Sequence, residues 1–136
     1  MNAEEMQDRV FCAQQPKIEE RPLLSQEMSE LLEATFKDLA NSTRLRLVHA
    51  LIREPGMNVG DLAAALGMNI TAISNHLRKL TDRGIVRPQR VGKQVNYSIV
   101  NPCTVSLLDH GLCLAEALLE VRPVMPDMGA SVTRLG

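Results

Sequence analysis

Aromatic residues are nearly missing from this chain: among 136 residues there is no tryptophan, and only Phe11, Phe36 and Tyr97 carry rings. A core anchored on aromatic side chains is thereby excluded, and Leu, Ile, Val, Met and Ala on packed helices must supply it. Cysteine is also scarce. Cys12, Cys103 and Cys113 are too few for a disulfide framework, so free thiols are the expected form. No apolar run is expected to approach bilayer length, and the opening "MNAEEMQDRV" is acidic where a secretory signal would be basic and then apolar. The expectation is a cytoplasmic protein with no membrane partner. Phosphate loop, nucleophile elbow and paired base and nucleophile are all lacking, so the reading is not an enzyme.

What is present suits one domain of about a hundred residues plus tails, with a core thin enough that a second subunit is expected to help. A formal net charge of −1 hides a segregation of sign. Residues 1–40 sum to −5, residues 41–100 to +6 and the remainder to −2. A positive middle region in an otherwise acidic chain is the footprint of a polyanionic partner.

Along the chain, residues 1–24 are polar, contain Pro16 and Pro22, and read as a mobile arm. "SQEMSELLEATFKDLA" then places Met28, Leu31, Leu32, Thr35, Phe36 and Leu39 on one helical stripe after Ser25. A second helix, "NSTRLRLVHALIRE", opens at Asn41 or Ser42, turns Leu45, Val48, Leu51 and Ile52 inward and ends at Pro55 and Gly56. A third, "VGDLAAALG", buries Val59, Leu62, Ala63 and Leu66 and is closed by Gly67.

The fourth helix is the informative one. In "NITAISNHLRKL", capped by Asn69, the inward face is Ile73, Leu77 and Leu80. Thr71, Asn75 and Arg78 then point outward, with Ser74 and His76 at the two borders. Two short helices joined by a tight glycine turn, the second polar on its outer side, make a helix-turn-helix whose second helix enters the DNA major groove. "GIVRPQRVGKQVNYSIVN" follows with period-two alternation at Val95, Tyr97 and Ile99, a hairpin turning at "RVGKQ". Arg87, Arg90 and Lys93 are placed on or near its tip for phosphate or minor-groove contact, and Pro88 marks an edge strand. Arg78 and Lys79 are read as phosphate contacts, with plain surface charge as the alternative.

Three segments, "LANSTRLRLVHALI", "VGDLAAALGMNITAISNHLRKLTDRGIV" and "RVGKQVNYSI", resemble in order and spacing the ArsR/SmtB family of bacterial winged-helix repressors, over residues 30–120. The resemblance implies a homodimer paired through its first and last helices. It further implies binding to an inverted-repeat operator in double-stranded DNA and release by an inducer, often a metal ion. The fold class is then mainly α with a β-hairpin: four helices, a two-stranded wing and a C-terminal dimerisation helix. Residues 25–121 form that domain and residues 122–136 a flexible tail. Carried over by position, Thr71, Ser74, Asn75 and His76 lie where the family's recognition helix meets DNA. Ile70 stands where the family often has a polar residue, and either touches a thymine methyl or is buried.

At the sensing sites the chain departs from the family pattern. The cysteine pair often found before the recognition helix is replaced by "NVGDL", Asn58 to Leu62. The positions of the other metal site hold Asn101, Cys103, Leu114 and Ala117. What remains is "NPCTVSLLDHGLCLAEALLE", where Cys103, His110 and Cys113 fall near one helical face and Asp109, Glu116 and Glu120 adjoin. One helix does not close such a site, but two last helices in a dimer would, with Cys12 of the arm as a further thiolate. Thiolate and imidazole donors favour zinc, cadmium, cuprous copper or trivalent arsenic. Each cysteine has a plainer reading as a small apolar residue, and His49 and His110 taken singly read as structural. The leading expectation is a repressor released by a thiophilic metal or metalloid ion. The alternatives are a redox-sensing repressor using Cys103 and Cys113 and a winged helix that binds protein rather than DNA.

Overall fold

Four helices within residues 14–121, the part of the chain that the computed structural model describes, begin at a side chain that accepts a backbone N–H. Ser25 accepts from Met28 N at 3.0 Å and opens α1 (Gln26–Leu39). Asn41 accepts from Arg44 N at 3.0 Å and opens α2 (Ser42–Arg53). Asn58 and Asn69 do the same at 2.8 Å, from Asp61 N and Ala72 N, for α3 (Val59–Leu66) and α4 (Ile70–Asp82). Each cap satisfies a donor that the helix itself cannot, an effect of about 1 kcal/mol. Ahead of α1 lies one 3-10 turn, Ile18–Glu20.

Gly67 ends α3 at φ 67°, in the left-handed region where a side chain would be strained. Met68 N then donates to Ala63 O at 3.0 Å, and the chain re-enters a helix at Ile70. This is the tight turn that the sequence requires. Strands β2 (Val86–Val91) and β3 (Gln94–Ile99) form the hairpin, with Val91 opposite Gln94 and Gly92 at φ 64° in the two-residue turn. Pro88 does lie on an edge strand.

The sheet has one strand more than the two-stranded wing that was expected. Met57–Asn58 form β1, pairing antiparallel with Tyr97 and Asn96, so the order is β1-β3-β2. Two residues are too few to display a period of two, which is why alternation did not reveal the strand.

Leu47, Val48, Leu51, Leu62, Ile73, Leu77, Leu80 and Val86 are fully buried and make the core of α2, α3, α4 and β2. Leu45, expected inward, is exposed, and Leu47 takes the inward place. Leu47, Val48 and Leu51 define the buried stripe of α2, and Leu45 falls on its flank. On α1 the apolar stripe is real but open: Met28, Leu31, Leu32 and Phe36 are all exposed, and the helix has no buried residue.

The chain divides into two compact units between Pro102 and Cys103, and the second unit holds α5 (Pro102–Val121) apart from its first residue. Val105, Leu112, Leu114 and Leu118 of α5 are exposed. Pro102–Glu120 has a mean hydropathy of 1.2 over a length that would cross a membrane, which corrects the expectation that no run approaches it. Leu, Ala, Val and Cys fill most of its positions, although Asp109, His110 and Glu116 interrupt them.

Leu77 is central to the core and fully buried, so Leu77→Ala should destabilise the protein by about 2–5 kcal/mol. Urea denaturation followed by circular dichroism measures this, and a loss well under that range would mean that the α4 core does not pack as described.

Candidate functional site

Because Ile73, Leu77 and Leu80 are buried, the opposite side of α4 is turned to solvent. Thr71, Ser74, Asn75, Arg78 and Lys79 are exposed on it, while His76 is half-buried. Ser74, placed at the border from the sequence, is fully part of the open face. Arg78 Nη2 donates to Asn75 Oδ1 at 2.8 Å, and since a guanidinium only donates, the Asn75 amide is oriented with its NH2 free. The outer face of α4 thus offers an array of donors, with the hydroxyls of Thr71 and Ser74 beside it. Ile70, the first residue of the helix, is 58% exposed rather than buried.

The wing is tied to the helix-turn-helix by side chains. Asn58, the α3 cap, uses its amide nitrogen to reach Gln94 Oε1 on β3 at 3.3 Å, and Gly56 N donates to Tyr97 O at 2.9 Å. Lys93 lies in the turn and Arg90 pairs opposite Val95 just before it, both exposed. Arg87 does not share that place. Its partner is Ser98, towards the base of the hairpin, and it is half-buried and engaged within the chain.

A polar junction that the sequence did not announce joins α1, α2 and α4. Arg44 donates from Nε to Asp38 O at 2.7 Å and from Nη2 to Lys37 O at 3.3 Å, capping carbonyls at the end of α1. Arg83, just past α4, forms an ion pair with Asp38 Oδ1 at 3.1 Å. Together with Lys79 and Asp82 these side chains line a cleft of about 400 Å³. The only sequence signal was an arginine three residues after a helix cap, a spacing shared by many surface arginines.

The candidate metal ligands do not come together among the described residues. Cys113 is a free, exposed thiol. His110 is exposed, with Nδ1 2.9 Å from Ser106 O, which leaves Nε2 as its open nitrogen. Cys103 is disulfide-bonded, contrary to the expectation of three thiols, and since Cys113 is free the two are not bonded to each other. Cys12 lies outside the described residues. Among the described residues no three His, Cys, Asp or Glu side chains converge on a metal-sized site. The donors suit a soft ion, yet the described residues of one chain do not enclose one.

Comparison with known proteins matches a helix-turn-helix domain family over residues 39–89. The cadmium resistance transcriptional regulatory protein CadC of Listeria innocua is 34% identical over 84 residues, covering 62% of this chain and 71% of CadC. The crystal structure of AntR, an antimony-specific transcriptional repressor, is similar at 45% identity and TM-score 0.67, over 79% of this chain and 97% of AntR. The solution structure of the homodimeric winged helix-turn-helix domain of Mb0332 from Mycobacterium bovis, a possible ArsR-family transcriptional regulator, is 28% identical with TM-score 0.62, over 77% of this chain and 99% of that one.

His76 sits at the inner edge of the α4 face, where burial, and then the charges of Arg44 and Lys79, push its pKa below the ordinary 6.5. The unfolded chain therefore takes up the proton first as pH falls. The stability contributed by neutral His76 is complete above pH 6.5 and is lost as pH drops through the lowered folded value. Urea midpoints measured from pH 7.5 to 5 should fall more steeply for the wild type than for His76→Gln, and equal slopes would contradict this environment.

Proposed function

The chain belongs to the ArsR/SmtB family of winged-helix transcriptional regulators, and from that premise we propose that it is a homodimeric repressor of an inverted-repeat operator, released by a thiophilic metal or metalloid ion. The observation that carries the DNA half is the outward donor face of α4, held by a buried apolar face and set in the positive region of the sequence. Thr71, Ser74 and Asn75 read base edges in the major groove, and His76 stays at the border of that face. Arg78, Lys79, Arg90 and Lys93 meet phosphates on either side. The exposed apolar stripes of α1 and α5 are surfaces that a second copy would cover, and the homodimeric Mb0332 domain supports that assembly. Charged residues midway along α5 argue against a bilayer as its environment.

On the effector side, the relatives named for cadmium and antimony support a soft ion. Cys113 and His110 from both copies of α5, with Cys103 in its reduced form, are the donors proposed for it, and Cys12 is the further thiolate. A bound ion would supply fixed bonds between the two α5 helices. The consequence for DNA follows from linkage, since an ion that binds one dimer conformation better than the other shifts operator affinity by that difference.

The DNA assignment is tested with a duplex selected from a random pool. Asn75→Ala should narrow the gap between selected and unrelated sequences by about 1–3 kcal/mol, whereas Arg90→Ala or Lys93→Ala should weaken binding to every duplex and flatten the salt dependence by a slope of about 1. An unchanged specificity ratio in Asn75→Ala would refute the reading of the α4 face.

For the effector, antimonite or cadmium added to the reduced protein should release the selected duplex. Cys113→Ser and Cys103→Ser should bind DNA normally but lose that response. Release by oxidant and not by ion would replace this reading with thiol oxidation. Release that persists with all three cysteines changed to serine would move the site to His110, Asp109, Glu116 and Glu120.

A further inference from the structure

We propose that Ile70 is a specificity-determining residue that reads the 5-methyl group of a thymine in the major groove. The inference rests on the proposed DNA-binding role of α4 and adds to it a base identity. Ile70 is the first residue of α4, and the first turn of a recognition helix is the part that meets base edges. Its start is fixed in place, because Asn69 holds Ala72 N at 2.8 Å and Gly67 sets the turn before it.

Ile70 precedes buried Leu77 by seven residues and exposed Ser74 by four, so it stands at the border of the outward face on the side of Ser74. It is the one large apolar side chain there, 58% exposed, while Thr71, Ser74, Asn75 and Arg78 around it are all polar. Exposed aliphatic residues are common on protein surfaces, so exposure alone carries little. Position decides the matter. On a face built to be covered by DNA, an isoleucine has no hydrogen bond to offer and loses its hydration on docking, which is favourable only against another apolar group. The thymine methyl is the apolar group that the major groove presents. Branching at Cβ restricts χ1, so little side-chain freedom is lost in making that contact.

The neighbouring donors complement this reading. Asn75 and Arg78 present N–H groups, which pair with acceptors such as thymine O4 or guanine O6 and N7 and have no means of sensing a methyl. Ile70 and the methyl of Thr71 are the apolar groups left on this face to sense one, and Ile70 is the larger of the two.

The test uses the full-length protein and a duplex selected from a random pool. Each thymine is replaced in turn by uracil, which removes the methyl and leaves every hydrogen-bonding group in place. One thymine per half-site should prove sensitive, with a loss of about fourfold per half-site, the weight of one buried methyl-sized group. In Ile70→Ala the preference for thymine over uracil at that position should vanish, while in Ile70→Val it should be largely retained. Because Ile70 is exposed, thermal unfolding of both variants should match the wild type, which separates lost recognition from lost folding. A wild type that tolerates uracil everywhere overturns the proposal while leaving DNA binding intact, as does a thymine preference that survives in Ile70→Ala. Failure of the wild type to select any sequence from the pool overturns both this proposal and the operator reading beneath it.

Discussion

The burial of Ile73, Leu77 and Leu80 is the constraint on which the rest of the DNA-binding unit depends. These residues close against a core that includes Leu47, Leu51 and Leu62 from α2 and α3. With one face of α4 fixed, the rotation of the helix about its axis is fixed too, and every outward residue takes its direction from that. With so few aromatic residues, the core is filled by branched aliphatic side chains in defined rotamers. A repressor needs this, since hydrogen bonds to base edges depend on placement within a few tenths of an ångström.

Polar bonds fix what the core leaves free. The Asn58 to Gln94 contact links the start of α3 to the wing, so wing and recognition helix are braced on the same segment. At the other end, Arg44 and Arg83 both engage Asp38 at the close of α1. The Arg83 pair is partly exposed and contributes on the order of 1 kcal/mol or less to stability. Its geometric effect is larger. The end of α1 and the end of α4 do not reorient independently without breaking a charge-assisted bond, and α1 is a helix whose apolar face lies open.

The helix-turn-helix and α5 differ in how much the described part of one chain completes. The helix-turn-helix and sheet have a finished core and satisfied helix starts, and no buried side-chain polar atom among the described residues lacks a partner. On α5 the chemically soft side chains are exposed and do not converge, and Val105, Leu112, Leu114 and Leu118 are exposed as well. A site for a thiophilic ion needs three or four donors around one point, and a single straight helix presents them at intervals of a full turn or more. Thus the outward face of α4 is complete in the folded chain, whereas the donors proposed for an ion are not brought together among the described residues.

The sequence alone determined the order of helices, the starts at Ser25, at Asn41 or Ser42 and at Asn69, the Gly67 turn and the hairpin around Gly92, because caps, periodicity and glycine conformations are local. It also determined which side of α4 faces out, since three apolar residues at helical spacing leave one choice. Only tertiary structure decided that β1 joins the sheet, that Leu47 rather than Leu45 is buried, that Arg87 lies away from the hairpin tip and that Asp38 gathers two arginines. The same holds for Ile70, which a period of 3.6 left on either side of the boundary. These depend on contacts between residues far apart in the chain, where a shift of one flank or one strand register changes the partner without changing any local pattern.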